Sequence, residues 1–280
     1  KTNLQDIIKR VTAQQASDIA GVSIDKPGLH FKNGAWAYPK AWCEALVAHP
    51  NIQVTFQQDV NEISKTNTRW QASSLSGDQY SADAVIVCNA QQAKNLPQLG
   101  FLSTKPIAGQ VSQISAPDIN LKSVLCGGKY VTPTLKGQLN FGASYRLNSE
   151  DCEVSEKEHQ ENLDALNKEF PAVGSQLTKN PTMSGRAAVR CTSPDYTPIA
   201  GPICDTKQFA LDFSQLTKSR KWKFYQSAPF AKGLYVNIGH GSRGLSSAPL
   251  CGELIAAQIN QEPYPMPEEL AQILNPNRFL

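Results

Sequence analysis

Long apolar runs are missing from this chain. Nowhere do its 280 residues approach the roughly 18 consecutive apolar positions that a membrane helix needs. The N-terminus also lacks the basic, apolar and small-residue succession of a signal peptide. The reading is a cytoplasmic protein with no membrane partner. An excess of one charge sign is missing too: 27 Lys and Arg face 24 Asp and Glu, a net charge of +3, too small to announce a nucleic-acid partner by itself. Low-complexity tracts and internal repeats are absent, which excludes solenoids and disorder. Cysteines are present as an odd, scattered set of Cys43, Cys88, Cys126, Cys152, Cys191, Cys204 and Cys251. They include no C-x-x-C and no histidine at metal spacing, so free, mostly buried thiols and no metal are expected.

What is there reads as alternating architecture. Leu4, Ile7, Ile8, Val11 and Ala16 recur at helical spacing, which predicts a helix from Leu4 to Ile19 stopped by Gly21. Pro39 with Trp42, Ala45 and Leu46 predicts a second helix that ends at His49, Pro50 and Asn51. Strands are expected at Val54 to Phe56 and at Ala84 to Val87, the latter a continuous apolar run of the kind buried on both faces of a parallel sheet. From Ile107 to Tyr145 the texture changes to antiparallel strands, Lys129 to Thr132 and Gln138 to Tyr145 among them. Ser155 and Glu158 open a helix through Leu163, Leu166 and Phe170 as a capping box. The end returns to α/β style, with a strand at Leu234 to Ile238, a glycine-rich turn, and a helix from Ser246 to Ile259.

That turn carries the strongest local signal. Gly239, Gly241 and Gly244 satisfy G-x-G-x-x-G directly between a strand and a helix. A dinucleotide fingerprint also wants a strand with an acid about 20 residues on, where Glu262 is instead followed by Pro263, Tyr264 and Pro265. The pyrophosphate of a cofactor is therefore not expected here. The turn is either a tight connection without a ligand or a helix N-terminus offered to something electron-rich. A G-x-S-x-G hydrolase elbow is excluded, because position 240 is histidine.

The run Gly239, His240, Gly241, Ser242, Arg243, Gly244, Leu245, with Ala248, Pro249 and Gly252 after it, resembles the last FAD-contacting segment of the D-amino-acid oxidase and glycine oxidase superfamily. Ala82 to Ala90 is similar to that family's AD-hydrophobic-AAGA strand and turn, with Asn89 in place of glycine. Gly185, Arg186 and Arg190, then Asp195, Pro198 and Gly201, resemble G-hydrophobic-R-x-x-T-x-D-x-x-P-x-x-G. With the closing Asn275, Pro276, Asn277 and Arg278, the likeness is to a tRNA-modifying subgroup.

The resemblance implies a D-amino-acid-oxidase-like fold of α/β plus α+β class: a split FAD-binding α/β domain over residues 1–100 and 200–280, and an antiparallel-sheet substrate domain over 101–199. The family's opening Gly-rich βαβ unit has no counterpart before Lys1, so the first domain is expected to be incomplete, the chain a fragment or truncated homologue, and FAD held weakly by it alone. The resemblance further implies FAD as cofactor, contacted by Val60, Asn89, Ala90 and Gly239 to Leu245. It implies tRNA as partner and oxidation of a carboxymethylaminomethyl group to aminomethyl, which a fused S-adenosylmethionine-dependent domain methylates. A carboxylate in that substrate calls for a guanidinium. By family position this is Arg190, with Arg243 and Tyr130 as further substrate contacts, although a structural salt bridge suits Arg190 as well. No residue is assigned catalysis, and His240 is read as a positioning residue. The family's Arg-Gly-Gln strand stands here as Ala108, Gly109 and Gln110, so that arginine is absent or supplied elsewhere. Lys218, Arg220, Lys221 and Lys223 around Trp222, with Phe224 next, form either an RNA contact or a solvated loop. A small-molecule amine, glycine or D-amino-acid oxidase, and an inactive fragment without FAD, are the competing readings.

Overall fold

The computed structural model describes residues 4–115, 119–177, 182–219 and 221–280. The chain opens with α1 (Leu4–Ile7), β1 (Ile8–Val11), α2 (Ala13–Ala20) and β2 (Gly28–Phe31). The continuous helix expected from Leu4 to Ile19 is thus interrupted. Ile8 to Val11 pairs antiparallel with Gly28 to Phe31, and Thr12 restarts the helix with a reciprocal capping box. Its hydroxyl accepts the Gln15 N–H at 3.3 Å while the Gln15 side chain accepts the Thr12 N–H at 3.1 Å. Gly21, at φ 76°, ends α2. The helix α3 (Pro39–Val47) follows as read, yet none of its residues is buried.

Val54 to Phe56 is not a strand. It has no ladder partner among the described residues, and Phe56 is 80% exposed. An unforeseen antiparallel meander takes its place: β3 (Val60–Thr66), β4 (Arg69–Ser74) and β5 (Gln79–Ala82), turned at Asn67 and Gly77, both with positive φ. The expected apolar strand is β6 (Val85–Val87). There Val87 is buried but Ile86 is 46% exposed, so burial on both faces does not hold along it. Alternation sends Ile86 to the opposite face from its neighbours.

Next come β7 (Lys105–Ser115), β8 (Leu125–Cys126), β9 (Tyr130–Val131), β10 (Gln138–Gly142) and β11 (Arg146–Leu147), then α4 (Glu156–Glu169) and α5 (Pro171–Leu177). The chain closes with β12 (Met183–Thr192), β13 (Ile199–Cys204), α6 (Thr206–Asp212), β14 (Phe230–Ile238), α7 (Gly244–Asn260) and α8 (Glu268–Leu274).

Two compact units result. One comprises Lys1–Leu46 and Ile107–Val189, the other Val47–Pro106 and Arg190–Leu280. Residues through Leu46, assigned above to the domain of 1–100, therefore belong with the antiparallel unit, and Arg190 opens the α/β unit rather than closing the other.

In the antiparallel unit the sheet order is β11-β7-β10-β9-β8, with β12 also paired to β7. Ile114, Val131, Leu139 and Phe141 from the sheet share a core with Leu163 and Leu166 of α4 and Val173 and Leu177 of α5. Each fully buried side chain of this size contributes roughly 1.5–3 kcal/mol. A polar seam holds α4 in register. Gln110, fully buried, accepts the Ser155 N–H at 2.8 Å and donates to the Ser155 carbonyl at 3.0 Å. Ser155 in turn caps α4 by accepting the Glu158 N–H. Only half of the expected capping box forms, because the Ser155 N–H goes to Gln110. Arg146 stands directly opposite Ala108 in the ladder and pairs with the nearly buried Glu158 at 3.0 Å. A guanidinium across the ladder from the departed arginine position is thus occupied by structure.

In the α/β unit β13 is antiparallel to β14, and β14 is parallel to β6. Along β14, Leu234, Val236 and Ile238 enter a core shared with Ile63, Trp70, Val87 and Ile199. On the sheet's other side, Ala200 packs with Cys251 and Ile255 of α7. All seven cysteines are free, but Cys43, Cys88, Cys126 and Cys152 are exposed, which corrects the expectation of mostly buried thiols. Cys43 shows why, since it lies on a helix with no buried face. No helix of the described residues is long and apolar enough to cross a membrane.

Candidate cofactor and substrate site

The parallel pairing decides where a site can form. Val85, Ile86 and Val87 lie beside Leu234, Tyr235 and Val236, so the residues that follow each strand, Asn89 and Ala90 on one side and Gly239 onward on the other, emerge at the same carboxyl end. Ligands of open α/β sheets bind there.

Two of the three turn glycines are required by the backbone. Gly239 has φ 78°, and a Cβ on it would meet Ile199 at 3.2 Å; Gly241 has φ 55°, and a Cβ would meet the Thr192 hydroxyl at 3.1 Å. The Gly241 N–H donates to the Cys191 carbonyl at 2.8 Å, and Thr192 bridges His240. The end of β12, one residue beyond Arg190, is therefore fastened to the turn. Gly244 is different: its backbone is ordinary and a Cβ would only touch His240 at 3.6 Å.

Arg243 precedes α7 without capping it by a side chain. The hydroxyls of Ser246 and Ser247 turn back to the Arg243 carbonyl, at 3.0 and 2.9 Å. By helix geometry the Gly244 and Leu245 N–H groups have no acceptor inside the helix, and the dipole adds partial positive charge at that end. Ser242, Arg243 and Leu245 are exposed.

His240 is locked. Asn237 donates through Nδ2 to the Ala248 carbonyl at 3.3 Å, which leaves its Oδ1 as acceptor for His240 Nε2–H at 3.0 Å. Nδ1 of the neutral ring faces the Ser247 hydroxyl at 2.9 Å and shares that hydroxyl's single proton, as acceptor, with the Arg243 carbonyl. Burial pushes the imidazole below its ordinary value, so it stays neutral near pH 7. This geometry suits positioning.

On the neighbouring strand end, Asn89 and Ala90 are exposed, and Ala90 holds φ 55° without being glycine. Gln91 was missed by sequence reasoning. Both its amide oxygen and nitrogen are buried without a partner, a state that costs free energy unless another group satisfies them. Its only signal was adjacency to the Asn89 turn. Val60 opens β3 and packs half-buried on the unit's core. Arg190 is half-buried in β12. Tyr130 belongs to the other unit, paired with Gly142 and Cys126.

The Asp195 carboxylate is structural. It accepts from Ser193 and from the Thr197 N–H, and the Arg278 guanidinium grips it at 3.0 and 3.2 Å. The Arg278 guanidinium also donates to the Thr197 and Pro198 carbonyls. The two motifs at Asp195 and at Asn275 to Arg278 thus form one brace. Of the basic segment, Lys218, Lys221, Trp222 and Lys223 are exposed, while Arg220 lies outside the described residues.

The profile of the family described as FAD dependent oxidoreductase matches residues 2–258. The chain is 37% identical to the tRNA 5-methylaminomethyl-2-thiouridine biosynthesis bifunctional protein MnmC of Pseudomonas fluorescens, over 98% of this chain and 43% of that relative. It is 40% identical to the protein of the same name from Pseudomonas putida, over 95% of this chain and 41% of the relative. The chain thus spans about two-fifths of the length of these curated relatives. Among solved structures it resembles glycine oxidase from Geobacillus kaustophilus, with a TM-score of 0.75 at 17% identity over 97% of this chain and 67% of that one. It also resembles L-proline dehydrogenase from P. horikoshii, with a TM-score of 0.73 at 15% identity over 97% and 68%.

Proposed function

Starting from the fact that this chain belongs to the FAD dependent oxidoreductase family, we propose that it oxidises the carboxymethylaminomethyl group of a wobble uridine in tRNA, leaving aminomethyl and releasing glyoxylate. The observation that carries this reading is the 37% and 40% identity, over nearly the whole chain, to relatives named for biosynthesis of that tRNA nucleoside. The methylation that their name implies, with S-adenosylmethionine as donor, falls to the part of those relatives that this chain does not span.

The residues at the strand ends fit FAD. The Gly244 and Leu245 N–H groups would hold the electron-rich edge of the ring. Asn89, Ala90 and the unsatisfied Gln91 amide would line the adjoining strand end, and the Val60 backbone would meet the adenine. When bound, FAD would supply the two-electron oxidant for the C–N bond beside the carboxylate, and water would hydrolyse the resulting imine to aminomethyl and glyoxylate. The chain's own contribution is binding and orientation. Arg190 pairs its two parallel N–H donors with the substrate carboxylate. Arg243, exposed at the helix start, reaches the substrate or an RNA phosphate. His240, neutral and held by Asn237 and Ser247, keeps the turn in place.

Arg190→Lys in the FAD-loaded protein tests the assignment. Losing the bidentate fork should raise the KM for modified tRNA about 10- to 100-fold with FAD content unchanged. Unchanged KM and kcat would remove Arg190 from the substrate site.

A further inference from the structure

The chain's charge is not spread evenly. Residues 205–229 hold five basic residues, Lys207, Lys218, Arg220, Lys221 and Lys223, against two acidic ones, Asp205 and Asp212. That difference equals the net +3 of the whole protein, so the remaining residues are neutral in sum. The segment is an excursion between paired strands. Cys204 and Phe230 lie opposite each other in β13 and β14, and the Asp205 N–H donates to the Pro229 carbonyl at 2.7 Å, closing its base.

The excursion is built, with an aromatic column at its foot. Phe209 stacks on Phe213 with centroids 4.7 Å apart, and Phe213 meets Phe224 at 4.6 Å. Asp205 caps α6 through the Lys207 and Gln208 N–H groups, and Gln226 returns to the Asp212 carbonyl. Beyond this anchor the exposed lysines Lys218, Lys221 and Lys223 alternate with uncovered rings: Trp222 is 55% exposed and Tyr225 fully exposed. Apolar rings exposed close together and rimmed by charged side chains are the mark of an interaction surface.

We propose that this excursion is a binding surface for single-stranded RNA, with Trp222 and Tyr225 as stacking platforms and Lys218, Lys221 and Lys223 as phosphate contacts. Rings that accept any base face, next to cations that follow a backbone, are the physical requirements for an unpaired polynucleotide. A duplex keeps its bases stacked and offers the rings nothing. The proposal rests on the tRNA reading above for the identity of the RNA, and it adds a surface outside the strand-end site.

Anisotropy titrations of the protein with a labelled single-stranded 15-nucleotide RNA and the matching duplex test it, run at several salt concentrations. Trp222→Ala and Tyr225→Ala should each weaken single-strand binding roughly five- to a hundredfold while leaving the salt slope unchanged. Changing Lys218, Lys221 and Lys223 together to Gln should flatten the logarithmic salt slope by about 2. Thermal melts should match the parent, since these side chains are exposed. Parent-like single-strand affinity in all variants would overturn the surface, as would equal competition by the duplex or by poly-glutamate. Oxidation of modified tRNA is read in parallel. If every variant oxidises it with the parent's KM, the surface falls and the oxidase reading stands; if the parent oxidises only free amines, the oxidase reading falls by itself.

Discussion

At the scale of residues, the glycine turn separates backbone need from ligand need. Gly239 and Gly241 sit at positive φ against Ile199 and Thr192, so Gly239→Ala should destabilise the protein by about 1–3 kcal/mol, read as a fall in the urea midpoint. Gly244→Ala has room in the protein alone and gains helix propensity, up to about 1 kcal/mol. It should fold as well as the parent yet lower FAD occupancy, because in the proposed site its methyl would crowd the ring. Unchanged flavin content would mean that the turn is only a connection. Asp195 offers a pH test. The Arg278 guanidinium holds its carboxyl well below the usual range. The stabilisation is therefore complete above the unfolded carboxylate's pKa of about 3.9 and is lost as pH falls through the lower folded value. The deficit of Asp195→Asn relative to the parent should accordingly be largest at neutral pH and shrink below about pH 4 in denaturant titrations. The sequence showed the Gly239 to Gly244 turn because glycine spacing next to a strand is a local signal. It did not show Gln91, whose unsatisfied amide exists only once the chain has folded around it.

Among elements, legibility followed the range of the interactions. The stop at Gly21, α3 from Pro39 and the start of α4 at Ser155 are set by neighbours in sequence, and the structure keeps them. The strand from Ile8 to Val11 exists because Gly28 to Phe31 pairs with it, and Val54 to Phe56 fails as a strand without such a partner. The meander from Val60 to Ala82 carries turn signals at Asn67 and at Ser76 and Gly77, but its strands are largely polar and so leave no apolar run to mark them. The seam under α4 is likewise long-range. Gln110→Leu should cost about 1–3 kcal/mol by stranding the Ser155 backbone groups, whereas Gln160→Ala, whose bond to Asp164 is exposed, should stay within about 0.5 kcal/mol. Equal losses in urea unfolding would mean that Gln110 does not anchor the helix.

For the whole molecule, the alternation of buried parallel and antiparallel texture pointed to two kinds of unit, and family resemblance supplied the chemistry that composition could not. The division itself, with residues through Leu46 grouped with the antiparallel sheet, depends on pairing between segments far apart in the chain. The central claim is that a strand-end FAD site is used to oxidise an amine carried on RNA. The most direct test is anaerobic mixing of the FAD-loaded protein with tRNA bearing carboxymethylaminomethyluridine, followed at the flavin's visible absorbance, with free glycine and sarcosine as comparisons. The account predicts rapid bleaching by the modified tRNA, with one glyoxylate released per flavin reduced, and little or none by the free amines. Rapid reduction by glycine or sarcosine with a silent tRNA would contradict it.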